Sequence, residues 1–130
     1  FKTIKPIKNN KGNIFKIISS KNSFFDKFGD CYISEINPNK IKAWRYHKFS
    51  THKIFLMVGK CKAVIYSNKK IKKFILSEKK PGLLFIPQKH WYGFKNIGKN
   101  KVKLLNITNL NYNEKEIKRK NINQINYEWN

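Results

Sequence analysis

The sequence IKAWRYHK at residues 41–48 has the aromatic-rich, alternating character of a β-strand. Side chains on a strand point alternately to its two faces. This alternation predicts Ala43, Arg45 and His47 on one face of the strand, and it places Trp44 and Tyr46 on the other. One face is therefore expected to carry a guanidinium beside an imidazole.

A second strand-like stretch, IPQKHWYGF at residues 86–94, has a similar mixture of rings and polar groups. The same alternation aligns Gln88, His90, Tyr92 and Phe94 on one face. A β-sandwich that brought this face against the first one would enclose a pocket of Arg, His and Tyr side chains.

Short strand-like segments recur along the whole chain, at a spacing of roughly 8–12 residues that is typical of a sandwich or barrel. The length of 130 residues and the hydrophobic fraction of 40% suit one folded domain, residues 1–130. Residues 54–66 are interpreted as a hairpin that turns at Gly59. Asn113 to Glu116 fits a capping box, which predicts one short C-terminal helix through about Lys120.

The formal net charge of +22 raises the question of a nucleic-acid partner. Arg45 and Arg119 are the only arginines, however, and the lysines are spread along the whole chain. Because specific phosphate and base contacts favour arginine, a solvated lysine surface is the preferred interpretation and no nucleic-acid partner is expected. A polyanion-binding β domain and an anionic membrane surface are the alternatives. The charge would also favour a small anionic ligand such as a nucleotide.

The two cysteines, Cys31 and Cys61, lie in apolar strand-like segments without the spacing of a disulfide framework or a zinc site. We expect both to be buried free thiols in a reducing compartment. No apolar segment reaches membrane-spanning length, and the N-terminus lacks a signal-peptide core. A cytoplasmic protein with no membrane partner is therefore expected.

The order of several short motifs resembles a known family. The motifs are Tyr32-x-x-Glu35, residues 42–48, Val58-Gly59-Lys60, Ile86-Pro87, residues 91–94, Asn106-Ile107-Thr108 and residues 125–129. Together, over residues 12–129, they resemble the dTDP-4-dehydrorhamnose 3,5-epimerase-like branch of the cupin jelly rolls. A weaker resemblance, through Tyr46-His47-Lys48, is to the dTDP-sugar 3,4-ketoisomerases. The resemblance implies an all-β, cupin-type jelly-roll β-sandwich, usually a homodimer, that acts on nucleotide-linked 4-keto sugars for surface polysaccharides.

The chain departs from the family at several functional positions. Arg45 stands where the epimerases have their general-base histidine, and Tyr92 replaces a second histidine. The catalytic tyrosine of the family falls near Leu105, and Asp30 replaces an arginine that helps to hold the nucleotide. Of the His-x-His-Lys pattern of the ketoisomerases, only the second histidine is present, as His47. The epimerase mechanism therefore cannot be transferred residue by residue.

Isomerisation of a keto sugar needs a base for a C–H proton and a donor for the enolate oxygen. His47 is the preferred base, with Tyr92 returning the proton, and the like charge of Arg45 would keep the imidazole neutral. Arg45 could hold an enolate or a diphosphate. His47 and Tyr92 could instead be ordinary packed residues. His52 follows a predicted loop and is expected at the surface.

The predicted function is a nucleotide-sugar epimerase or isomerase that acts on a dTDP-linked 4-keto-6-deoxy sugar. The alternatives are a 3,4-ketoisomerase and a catalytically silent sugar-nucleotide-binding cupin. Arg45-x-His47 and Tyr92 leave one good metal ligand where three are needed, so no metal is expected, and no other cofactor is implied. The predicted site residues are the catalytic His47 and Tyr92 and the substrate-binding Arg45, His90, Glu35, Trp91 and Asn106.

Overall fold

The computed structural model describes residues 1–130 as ten β-strands and two short 3-10 helices. The strands are β1 Lys2–Thr3, β2 Cys31–Ile36, β3 Ile41–His47, β4 His52–Val58, β5 Lys60–Ser67, β6 Lys70–Ser77, β7 Gly82–Ile86, β8 Trp91–Asn96, β9 Val102–Thr108 and β10 Ile117–Arg119. The 3-10 helices span Glu114–Glu116 and Ile122–Gln124.

The strands form two five-stranded sheets, which we call the first and the second sheet. The first sheet has the order β1-β7-β4-β9-β2, and the second has the order β10-β3-β8-β5-β6. All pairings are antiparallel. The prediction of an all-β jelly-roll sandwich is confirmed.

The continuous apolar character of β4 is explained by burial on both of its faces. Ile54 and Leu56 belong to the main core of 13 buried residues. Phe55, between them, packs on the opposite face with Ile4 and Leu83. The segment that precedes β2 therefore covers the outer face of the first sheet, and β4 is buried on both faces from His52 to Leu56, with only Met57 and Val58 exposed at its end.

The predicted hairpin at Gly59 is wrong, because β4 and β5 lie in different sheets. Gly59 has φ +97°, a left-handed conformation, at the point where the chain crosses from one sheet to the other. The actual hairpin joins β5 to β6 through Asn68 and Lys69, both with positive φ, at 50° and 61°. Two consecutive left-handed residues are what a two-residue hairpin turn of type I′ requires.

The predicted C-terminal helix is reduced to a single 3-10 turn of three residues. The Asn113 side chain does cap this turn, accepting a hydrogen bond from the Lys115 backbone N–H. The chain then extends as β10, which pairs with β3 at the edge of the second sheet. Hydrogen bonds to β3 replace those that a longer helix would have made within itself.

The last residues of the chain cover the outer face of the second sheet. Trp44 is buried there in a cluster with Val64, Ile125 and Trp129. Its indole N–H donates to the Ile122 carbonyl oxygen at 3.1 Å. Trp44 is thus a packed core residue. Ala43 packs against the same cluster, so the predicted placement of Ala43 on the face of Arg45 is wrong, because the pairing of β3 with β8 shifts register between Ala43 and Arg45.

The two cysteines differ in exposure. Cys61 is buried, and burial raises the pKa of its thiol to about 12. Cys31 is exposed on the edge strand β2, so the expectation that both thiols are buried is wrong for Cys31. None of the helices is long and apolar enough to cross a membrane.

Candidate functional site

A cavity of about 550 Å³ lies between the two sheets. The second sheet and its edge contribute Arg45, Tyr92 and Arg119, while the first sheet contributes Tyr32 and Asn106. Its volume is within the roughly 300–1,000 Å³ of small-molecule sites.

Three side chains beside the cavity form one hydrogen-bonded chain. His47 Nε2 lies 2.9 Å from the Tyr92 hydroxyl, and His47 Nδ1 lies 3.0 Å from Glu116 Oε1. Tyr92 lines the cavity, and His47 and Glu116 are buried behind it. The neighbouring strands β3 and β8 position the imidazole against the phenol, since Arg45 on β3 is the register partner of Tyr92 on β8.

Glu116 was not found from the sequence, although it is the carboxylate that orients His47. It immediately precedes β10, whose first residue, Ile117, pairs with His47. Glu116 also accepts hydrogen bonds from the Ser50 hydroxyl at 2.5 Å and the Ser50 backbone N–H at 3.2 Å. Burial raises the pKa of Glu116, but the hydrogen bonds from Ser50 and His47 outweigh burial and lower it. Glu116 therefore stays ionised and fixes the Nδ1–H tautomer of His47.

Burial sets the protonation states of His47 and Tyr92, the other two residues of the hydrogen-bonded chain. Burial lowers the pKa of His47, and the hydrogen bond to Glu116 only partly offsets that effect. Burial raises the pKa of Tyr92. At neutral pH the site therefore holds a neutral imidazole and a protonated phenol.

His52 is buried beside this chain, so the expectation that it lies at the surface is wrong. It begins β4, and its ring centroid is 4.2 Å from that of His47. His52 Nε2 lies 3.4 Å from the Ser50 hydroxyl, and its Nδ1 lies 3.4 Å from Asn106 Oδ1. Burial, together with the neighbouring His47, lowers the pKa of His52 to about 4. His52 is therefore neutral at physiological pH.

Asn106 connects His52 to the cavity. Its side chain is 5% exposed, and it lines the cavity from β9. While Oδ1 faces His52, the amide nitrogen donates no hydrogen bond to the protein. This N–H₂ group is a free donor for an oxygen atom of a ligand.

The structure brings together four of the predicted site residues, namely Arg45, His47, Tyr92 and Asn106. His90 lies in the turn before β8, where its Nδ1 is 2.8 Å from the Gln88 carbonyl oxygen. Trp91 packs on Tyr46 at the outer face of the second sheet, with ring centroids 5.1 Å apart.

Glu35, on β2, forms exposed ion pairs of 3.6 and 3.7 Å with Lys101 and Lys103. His90, Trp91 and Glu35 do not line the cavity. No group of three or more His, Cys, Asp or Glu side chains is arranged to hold a metal ion.

The fold and this site define a cupin-type β-sandwich with a hydrogen-bonded chain of Glu116, His47 and Tyr92 at its cavity. The family model described as "FdtA: WxcM-like, C-terminal" matches residues 1–128, and the chain belongs to this family.

Two similar proteins have names that refer to sugar-nucleotide or polysaccharide chemistry. A dTDP sugar isomerase from Desulfovibrio desulfuricans G20 is 25% identical, with a TM-score of 0.92 over 98% of this chain and 88% of that one. The spore coat polysaccharide biosynthesis protein SpsL of Bacillus subtilis (strain 168) is 24% identical over 92% of this chain and 87% of its own length.

The epimerase RmlC from Legionella pneumophila Philadelphia 1, solved with dTDP-4-keto-L-rhamnose, shares the fold. Its TM-score is 0.81 at 14% identity, over 92% of this chain and 70% of that one. The resemblance to sugar-nucleotide epimerases and isomerases of the cupin type is confirmed.

Proposed function

We propose that this protein is a nucleotide-sugar isomerase or epimerase in surface-polysaccharide biosynthesis. It would remove and return a proton beside the ketone of a dTDP-linked 4-keto-6-deoxy sugar. The family match and the similarity to a dTDP sugar isomerase and to SpsL support the substrate class. The observation that carries the chemistry is the Glu116–His47–Tyr92 chain, which ends at the cavity.

The protonation state of His47 decides whether Tyr92 accepts or donates a proton. When His47 is neutral, its Nδ1–H donates to Glu116, so Nε2 accepts the Tyr92 O–H and the phenol oxygen keeps free lone pairs. When His47 gains a proton, Nε2–H donates to Tyr92, and the Tyr92 O–H becomes free to donate. One proton stored on His47 therefore converts Tyr92 from an acceptor to a donor.

This conversion matches the two halves of the proposed reaction. In the first half, the C–H proton moves to the Tyr92 oxygen while the Tyr92 proton moves to His47 Nε2, and the C–H electron pair forms an enolate. The negative charge on the enolate oxygen can be stabilised by the free amide N–H₂ of Asn106. In the second half, Tyr92 delivers a proton to carbon and recovers one from His47.

The site of reprotonation decides the product. Return to the same carbon gives an epimer only when the proton arrives from the opposite face, which requires a donor other than Tyr92. Return to the former carbonyl carbon, after a hydroxyl hydrogen has moved between the two oxygens, gives a ketoisomer. Both reactions need the same proton abstraction, and both exchange a substrate hydrogen with solvent when the proton on Tyr92 or His47 is replaced by a solvent proton before it is returned.

The test is incubation with dTDP-4-keto-6-deoxyglucose in heavy water, with mass spectrometry to count deuterium and NMR to locate it. Tyr92→Phe and His47→Gln should each slow incorporation by about 100-fold or more, as expected for loss of a general acid–base group. Tyr66→Phe is the matched control, because Tyr66 packs in the cluster on the outer face of the second sheet. It should exchange at the wild-type rate.

Two outcomes would contradict the proposal in different ways. Wild-type exchange in Tyr92→Phe would show that the phenol carries no proton. Binding of the sugar nucleotide without any exchange in the wild-type protein would instead favour the silent binding module.

A further inference from the structure

The only two arginines of the chain face each other at the cavity. Lys and Arg together number 29, yet Arg45 and Arg119 are the only guanidinium groups among them. They are register partners across the pairing of β3 with β10, and both line the cavity. Everywhere else the chain uses lysine for its positive charge.

The hydrogen-bond pattern puts these two side chains at the shortest cross-strand separation. The adjacent pair, Trp44 and Lys120, exchanges both backbone hydrogen bonds, at 3.0 and 3.2 Å. Arg45 and Arg119 therefore form a non-hydrogen-bonded pair, the type in which facing side chains are closest. Like charges placed directly opposite each other are destabilising in a sheet, so the free protein is strained electrostatically at this point.

The protein neutralises only one member of the pair. Arg45 makes no hydrogen bond or ion pair with the protein, and Arg119 binds only the exposed Glu114 carboxylate. Lys42 and Lys120 also line the cavity, and no Asp or Glu side chain does so. An anionic group of a ligand is the partner that this arrangement lacks.

We propose that Arg45 and Arg119 together bind the diphosphate of the nucleotide-sugar. The identity of the ligand rests on the proposed function, whereas the pairing of the arginines does not. A diphosphate carries two adjacent charged groups, which matches two adjacent guanidinium groups. Arginine suits this role better than lysine because its planar fork can make two parallel hydrogen bonds to one phosphate.

The test is calorimetric titration of the full chain with TDP, TMP and thymidine. The wild-type protein should bind TDP most tightly. Arg45→Lys and Arg119→Lys keep the charge but lose the fork, and each should weaken TDP binding about tenfold or more while changing thymidine binding little. Lys118→Gln is the matched control, because Lys118 precedes Arg119 but its ammonium lies over the Tyr46 ring, outside the cavity. It should bind TDP within about twofold of wild type.

Two further variants test the electrostatic strain. Glu114→Gln removes the carboxylate that competes for Arg119 and should tighten TDP binding. Arg45→Gln removes the repulsion and should raise the urea midpoint of the free protein, while it reduces the stabilisation that TDP produces. A variant that is more stable than wild type without TDP, but gains less stability from TDP, is the result expected only for a repulsive pair that the ligand neutralises.

The results of these experiments can contradict the diphosphate assignment without contradicting the proposed isomerase function, and the reverse. If Arg45→Lys bound TDP normally but exchanged deuterium slowly, Arg45 would serve the reacting sugar and the diphosphate assignment would be wrong. Equal affinity for TDP and thymidine would also overturn it. Loss of TDP binding in both lysine variants supports the assignment even where the wild-type protein exchanges no deuterium.

Discussion

His52 makes the stability of the fold depend on pH. Its pKa is lowered to about 4 in the folded chain by burial, from an ordinary value of 6.5. Between these two values the unfolded chain binds a proton that the folded chain does not, so stability is present above pH 6.5 and is lost as the pH falls towards 4. The lowered pKa of His47 acts in the same direction.

We predict that the free energy of unfolding falls by about 3 kcal/mol from His52 alone between about pH 6.5 and pH 4. Urea unfolding at a series of pH values measures this slope, and His52→Gln should flatten it. His90→Gln is the control for the loss of a histidine outside the buried pair of His47 and His52, because His90 lies in the turn before β8. A wild-type slope in His52→Gln would show that other groups account for the acid sensitivity.

Glu116 is expected to act on the reaction through His47. Glu116→Gln removes the charge that raises the His47 pKa against the effect of burial, so the protonated imidazole loses stabilisation. The acid limb of the pH–rate profile for deuterium exchange should therefore move to lower pH. The maximal rate should fall by roughly 10-fold to 100-fold. A uniform loss of rate with an unmoved profile would indicate a purely structural role.

The sequence predicts part of this site because strand alternation is local. Arg45 and His47 share a face, and Tyr92 meets them, as the alternation of two strands implies. Glu116 and His52 were missed for a physical reason. Glu116 is 69 residues from His47 in the chain, and its hydrogen bond depends on an edge pairing that no local pattern encodes.

Among the strands and turns, the local sequence signals correctly predicted where the chain turns, but they were wrong about which element follows the turn. Gly59 requires a left-handed conformation both in a hairpin and in a crossing between sheets, so the residue alone cannot distinguish the two. Asn113 caps a turn as predicted, but the following residues gain more from pairing with β3 than from continuing a helix. This pairing is also what brings Arg119 to Arg45.

Gly93 determines whether the C-terminal residues can pack on β8. A Cβ atom at this position would lie 2.6 Å from Ala43 Cβ and 2.9 Å from Trp129 Cζ2. We predict that Gly93→Ala destabilises the protein by about 1–3 kcal/mol in urea unfolding, because the core must be overpacked.

Gly98→Ala is the control for this prediction, since the nearest atom to its Cβ would be 3.6 Å away. It should change stability by no more than about 0.5 kcal/mol. Equal stability of the two variants would mean that the Trp129 segment does not pack tightly on β8 in solution.

For the whole molecule, the two sheets contribute different parts of the site. The second sheet and its edge supply the hydrogen-bonded residues Glu116, His47 and Tyr92 and the arginine pair, through β3, β8 and β10. The first sheet supplies Asn106 and His52, through β9 and β4. The cavity therefore depends on the packing of both sheets, and a loss of that packing should abolish ligand binding and exchange together.

The net charge of +22 should make the whole fold more stable in salt. Compaction brings like charges together, and raising the salt from about 0.01 M to 0.15 M shortens the Debye length from about 30 to 8 Å, so their repulsion weakens. We expect the urea midpoint to rise, by an amount that corresponds to an increase on the order of 1 kcal/mol in the free energy of unfolding, comparable to one contacting pair of charges in water. TDP affinity should fall over the same range, because salt also screens the attraction of the arginine pair for phosphate. A midpoint that stays level or falls with salt would show that the lysines are spread too widely to repel one another.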